Sequence, residues 1–70
     1  MSLVTGVVSH FDAARGDGEI VTDDGVALYF HCVAIADGSR QIEPGTRVSA
    51  RRRVGLVGRD EVVDVQSIGG

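Results

Sequence analysis

The stretch Arg15-Gly16-Asp17-Gly18-Glu19-Ile20 lies between two apolar segments, and the rest of the chain reads as a small β-protein arranged around it. Successive side chains of a strand point to opposite faces. Asp17 and Glu19 therefore share one face, and the glycines followed by Ile20 take the other. Two carboxylates on one face, beside glycines that bare the backbone, make an unusual surface. What that face does is the functional question.

Upstream, Leu3 to Phe11 alternates, with Leu3, Thr5, Val7 and Ser9 set against Val4, Gly6, Val8 and His10. This pattern predicts a first strand, with Gly6 as its bend or bulge. Asp12 to Arg15 is a turn, Gly18 to Thr22 a second strand, and Asp23-Asp24-Gly25 a hairpin signal, because Asp-Gly tolerates positive φ. Val26 to Cys32 is a third strand that puts Leu28 and Phe30 on one face and Tyr29 and His31 on the other. Val33-Ala34-Ile35 fits one helical turn, and residues 37–45 form a long loop closed by Pro44-Gly45. Thr46 to Val54 is a fourth strand. Gly55-Leu56-Val57-Gly58 is a turn, a fifth strand lies within Arg59 to Ile68, and Gly69-Gly70 is a loose end. Short strands with turn signals at roughly 8–12-residue spacing predict one all-β domain, 1–70, closed as a small barrel or sandwich. The expected core is Val4, Val8, Ile20, Leu28, Phe30, Ile35, Val48, Val63 and Val65.

Composition limits the function. The chain has seven arginines, no lysine and ten acidic residues, for a net charge of −3. Nucleic-acid binders ordinarily carry a basic face that replaces counterions on phosphates, so any such contact here rests on a local patch. The single cysteine, Cys32, allows no internal disulfide and no cysteine-built zinc site, and it fits a reducing, cytoplasmic setting. No apolar run reaches the roughly 18 residues of a membrane span, and the N-terminus has no signal-peptide pattern. Neither a membrane partner nor a cofactor is expected. No nucleophile–base–orienter set is readable, so the expectation is a binding module and not an enzyme.

Taken in order, these motifs resemble the cold-shock domain over nearly the whole chain. The family's Gly-x-Val-x-Trp-Phe-Asn pattern is matched by Gly6-Val7-Val8-Ser9-His10-Phe11-Asp12, and its Lys-Gly-Phe-Gly-Phe-Ile motif by Arg15-Gly16-Asp17-Gly18-Glu19-Ile20. Its Val-Phe-Val-His-Phe motif is similar to Leu28-Tyr29-Phe30-His31-Cys32, followed by Ala34-Ile35, and its Leu-Glu-x-Gly to Ile42-Glu43-Pro44-Gly45. The resemblance implies a five-stranded antiparallel OB-type barrel that binds single-stranded RNA or DNA by stacking bases on exposed aromatics. The chain departs from the family at those positions. His10 stands at the tryptophan, Asp17 and Glu19 at the two phenylalanines, and Cys32 at the phenylalanine ending the second motif. An aromatic expected in the long loop falls near Ser39. Tyr29 and His31 stay in register, and Arg15 replaces the lysine. Base–aromatic stacking contributes roughly 1–3 kcal/mol per base, so the resemblance implies weak or altered binding, carried by His10, Phe11, Arg15, Tyr29 and His31. The alternative is an acidic interaction face, centred on Asp17 and Glu19, that recognises a basic protein surface.

Other features have plainer readings. Arg51-Arg52-Arg53, the only basic run, is either a phosphate contact or one side of a cross-strand ion-pair ladder. With Gly55 to Gly58 at the hairpin centre, Arg53 lies opposite Asp60, Arg52 opposite Glu61 and Ala50 opposite Val63. That register gathers Val48, Ala50, Val63 and Val65 on one face, and the ion-pair reading is preferred. His10, Asp17, Glu19 and His31 on one side would supply metal ligands, but nothing fixes their geometry; a solvated polar surface is the expectation and no metal is assigned. Cys32 reads as a small buried hydrophobe more readily than as a reactive thiol.

Overall fold

The computed structural model describes residues 2–39, 41–54 and 60–68. Five strands, β1 (Ser2–Asp12), β2 (Asp17–Thr22), β3 (Ala27–His31), β4 (Arg47–Val54) and β5 (Asp60–Ser67), close into a barrel in the order β1-β2-β3-β5-β4. A 3-10 turn, Cys32–Ala34, follows β3 at the expected place, and the His31 side chain caps it by accepting from the Val33 N–H. The strand order is that of an OB-type barrel. Four seams are antiparallel and the fifth, between β3 and β5, is parallel. Geometry requires one such seam, since an odd number of strands cannot alternate direction all the way round. The expected turn 55–58 and the loose end 69–70 lie outside the described residues.

β1 is long because it serves two neighbours. Residues 2–7 pair with β4 and residues 6–12 with β2, so Gly6 and Val7 are paired on both sides. Gly6 is buried there, and a methyl group on it would stand 2.3 Å from the Val21 carbonyl oxygen. Gly6 is thus a point of close backbone approach. The bulge expected at Gly6 falls instead at Ser9, between the pairs Val8↔Ile20 and His10↔Glu19. One extra residue reverses the alternation. Val8 and Phe11 therefore both turn inward while His10 turns out.

A second bulge corrects the expected β4–β5 register. Arg53 pairs with Glu61, Arg52 with Val62 and Arg51 with Val63, one position away from the expectation, and the ladder shifts between Ser49 and Arg51. Ala50 faces two residues, Asp64 and Val65, and Asp64 adopts the left-handed conformation at φ 56°. This reversal lets Val62 and Val65 both point inward although they are three residues apart. Val62 and Ala50 accordingly join Val8, Ile20, Leu28, Phe30, Ile35, Val48 and Val65 in the buried core, whereas Val63 and Val4 are only half-buried.

Phe11↔Gly18 and Gly18↔Phe30 are consecutive ladder pairs. The two rings meet over the glycine, nearly parallel at 12°, with centroids 5.9 Å apart. Gly18 leaves the space in which its neighbours stack.

Candidate functional site

The outer face of β1, β2 and β3 is set by strand alternation and by the Ser9 bulge. Facing pairs place His10 beside Glu19, Glu19 beside Tyr29, and Asp17 beside His31. Across the parallel seam Tyr29 pairs with Glu61, which in turn faces Arg53 on β4. A row His10–Glu19–Tyr29–Glu61–Arg53 therefore runs round the barrel. A shallow hollow of about 250 Å³ lies on this face, lined in part by His10, Arg15, Asp17, Glu19, Tyr29 and Asp60.

The carboxylates of this face are engaged within the chain. Asp17 lies 3.4 Å from the Arg15 guanidinium and accepts the Tyr29 hydroxyl at 3.2 Å, and its side chain is only 17% exposed. Glu19 accepts from the Ser9 hydroxyl at 2.9 Å and approaches His10 Nδ1 at 4.0 Å. Arg52 holds Asp60 through its Nε at 3.0 Å, and Arg53 holds Glu61 at 2.9 Å. The arginine run is thus an ion-pair ladder, as its preferred reading had it. Its partners are exchanged by the register shift, with Arg51 meeting Asp64 at 3.4 Å. The half-buried Arg52 sits on the inward side of β4 at the barrel's rim.

Of the residues expected to contact nucleic acid, His10, Arg15, Tyr29 and His31 lie on or at the edge of this outer face. Phe11 does not join them. The Ser9 bulge turns its ring inward onto Phe30, against the core. Ser9, Asp60 and Glu61 also belong to the face; Asp60 and Glu61 were expected only as partners of the arginine run, and a bulge and a parallel seam bring the three residues there. His31 Nδ1 accepts from the Val33 N–H at 3.3 Å and lies 3.8 Å from Cys32 Sγ. Among the described residues, no group of three or more His, Cys, Asp or Glu is placed to hold a metal ion. No described helix is long and apolar enough to cross a membrane.

A separate clamp fixes the turn after β2. The Asp23 carboxylate accepts both Arg47 guanidinium nitrogens at 2.8 and 2.9 Å and also the Thr5 hydroxyl. The hydrogen bonds from Arg47, then that from Thr5, lower its pKa to about 2, while Asp23 raises that of Arg47. Comparison of the chain with models of known families and with curated proteins finds no match.

Proposed function

We propose that this protein is a cold-shock-like OB-type module that takes single-stranded RNA or DNA weakly on the outer face of β1–β3. The observation carrying the proposal is the half-buried Tyr29 ring on the β2–β3 face, with His10 and His31 near it and each neighbouring carboxylate already engaged by a partner in the chain. In OB barrels this face and its adjoining loops bind oligonucleotides. The pairing lessens the repulsion that two bare carboxylates would exert on a phosphate. The reading of Asp17 and Glu19 as an acidic face for a basic protein needs those groups to be available, so the nucleic-acid reading is preferred. The proposal includes a cytoplasmic setting, supported by the lone free thiol, and no catalytic step.

The test is a fluorescence titration with an unstructured labelled oligonucleotide at low and near-physiological salt. One or two phosphates contacted give a salt slope of about −0.7 to −1.4. Tyr29→Ala removes the main stacking surface and weakens binding at least about tenfold, matching roughly 1–3 kcal/mol per base. Asp17→Phe with Glu19→Phe restores two stacking surfaces and binds at least about tenfold tighter than the parent, a gain of about 1.4 kcal/mol. Binding that ignores Tyr29→Ala would move the site elsewhere, and no binding at low salt would remove the function.

A further inference from the structure

The Tyr29 ring by itself selects no base, because every base has a face to stack. Sequence is read at the edge of an unstacked base, and what that edge meets here is set by the residue beside the ring. Glu19 and Tyr29 are directly facing partners on β2 and β3. Such partners carry their Cβ atoms about 4.5–5.5 Å apart, so a base laid on the Tyr29 ring brings its edge within reach of the Glu19 side chain. Both residues line the shallow hollow on this face.

Glu19 differs from the other carboxylates round the ring. Asp17, Asp60 and Glu61 each lie against an arginine, namely Arg15, Arg52 and Arg53 in turn, and Asp17 also accepts the Tyr29 hydroxyl. Among the described residues no arginine pairs with Glu19. Its Oε1 accepts from the Ser9 hydroxyl at 2.9 Å and lies 4.0 Å from His10 Nδ1. Both contacts fall on one oxygen, whereas an ionised carboxylate has about four acceptor sites and no donor. Glu19 is therefore the group at the ring with the most hydrogen-bonding capacity left, and all of that capacity is for donors. Its side chain is 37% exposed, open to a ligand arriving from solvent.

The bases offer different edges to such a group. Guanine carries two adjacent donors, the N1–H and the N2 amino group, spaced to meet the two oxygens of one carboxylate. Adenine and cytosine offer one amino group next to a ring nitrogen that accepts. Uracil and thymine offer one N–H between two carbonyl oxygens, so the second carboxylate oxygen meets another acceptor. A reading group that only accepts thus favours guanine and disfavours uracil and thymine.

We propose that Glu19 is a specificity-determining residue that selects guanine as the base stacked on Tyr29. The proposal rests on the Tyr29 face being the single-strand site and names the base that face takes.

The probes are labelled dT heptamers whose central residue is dT, dG, dA, dC or deoxyinosine, titrated by fluorescence into the intact protein at low salt. Deoxyinosine presents the guanine edge without its amino group. The dG strand binds at least about tenfold tighter than the all-dT strand, as a two-point base contact implies, and also tighter than the other three. Glu19→Gln keeps the side chain's length and can still accept from Ser9, but it puts an amide nitrogen where guanine needs an acceptor. In that variant the dG strand loses most of its advantage, while the all-dT strand binds at least as tightly as it does to the parent, which shows the fold and the stacking ring intact. A dG strand no tighter than all-dT, a deoxyinosine strand equal to dG, or a preference that survives Glu19→Gln would each overturn the proposal and leave the Tyr29 face as a nucleic-acid site. No binding by any strand would remove the function itself and the proposal with it.

Discussion

Gly18 offers the sharpest test of how the barrel is packed. A methyl group at this position would stand 2.6 Å from the His10 carbonyl oxygen, 2.9 Å from Phe30 Cζ and 3.0 Å from Phe11 Cδ1. The oxygen belongs to the β1 backbone and cannot swing away, so Gly18→Ala must either part β1 from β2 or unstack the two rings. Forcing a group into a filled core costs about 1–3 kcal/mol, and losing the ring pair about 0.5–1.5 kcal/mol more. Alanine recovers about 0.5–1 kcal/mol through the lower entropy of its unfolded chain. The net is a loss of about 2 kcal/mol, taken from a total of about 3.5–10 kcal/mol for a chain of this length. That lowers Tm by about 8–16 °C. Thermal unfolding followed by circular dichroism measures it, with Gly25→Ala as the comparison. Gly25 has φ 88° but nothing within 4 Å of an added methyl, so only backbone strain of about 1 kcal/mol applies there. In the Phe11→Ala background the Gly18→Ala loss shrinks, because one of the two ring contacts is gone. A Gly18→Ala protein as stable as the parent would refute the account of the glycine as space for the aromatic pair.

Three further outcomes are expected. Asp23 has its pKa depressed to about 2 by Arg47 and Thr5, so the stability it contributes is complete above its ordinary value near 4 and lost as pH falls toward 2; Asp23→Asn should flatten the stability profile between about pH 4 and pH 2, measured by denaturant unfolding across that range. Asp64 holds the left-handed bulge, so Asp64→Gly should be nearly neutral and Asp64→Val should cost about 1–2 kcal/mol in the same assay; equal losses in both would point to the Arg51 ion pair as what matters there. Cys32 is half-buried and free, so a thiol reagent should label it more slowly in the folded protein than in denaturant, and equal rates would show an open site.

Much of the architecture is legible in the residues. Leu28 and Phe30 alternate with Tyr29 and His31, Asp23-Asp24-Gly25 marks its turn, and Val8, Ile20 and Val48 declare themselves as core. What escaped is where alternation reverses. Ser9 carries no mark of a bulge, and the adjacent valines Val62 and Val63 offer two registers of equal apolar quality. Only Asp64 separates them, by tolerating a conformation usually left to glycine. The same two reversals decide the site. They swing Phe11 inward and exchange the partners of Arg52 and Arg53. Asp17 and Glu19 were readable as a pair on one face, but their engagement by Arg15, Tyr29, Ser9 and His10 depends on contacts between strands and a turn that periodicity does not encode.

The parallel seam gives the barrel a latch. Unrolled along it, the chain is a five-stranded sheet bordered by β3 and β5, and those borders would be free to accept a strand from another copy. Within the two strands a single residue pair, Tyr29↔Glu61, spans the closure, with the Ile35↔Val65 bridge beyond it. Tyr29 is also the ring on which the proposed function places a stacked base. Occupancy and closure then share one free energy: a ligand that prefers the rolled form holds the latch shut, and whatever loosens the staves lowers its affinity by the same amount.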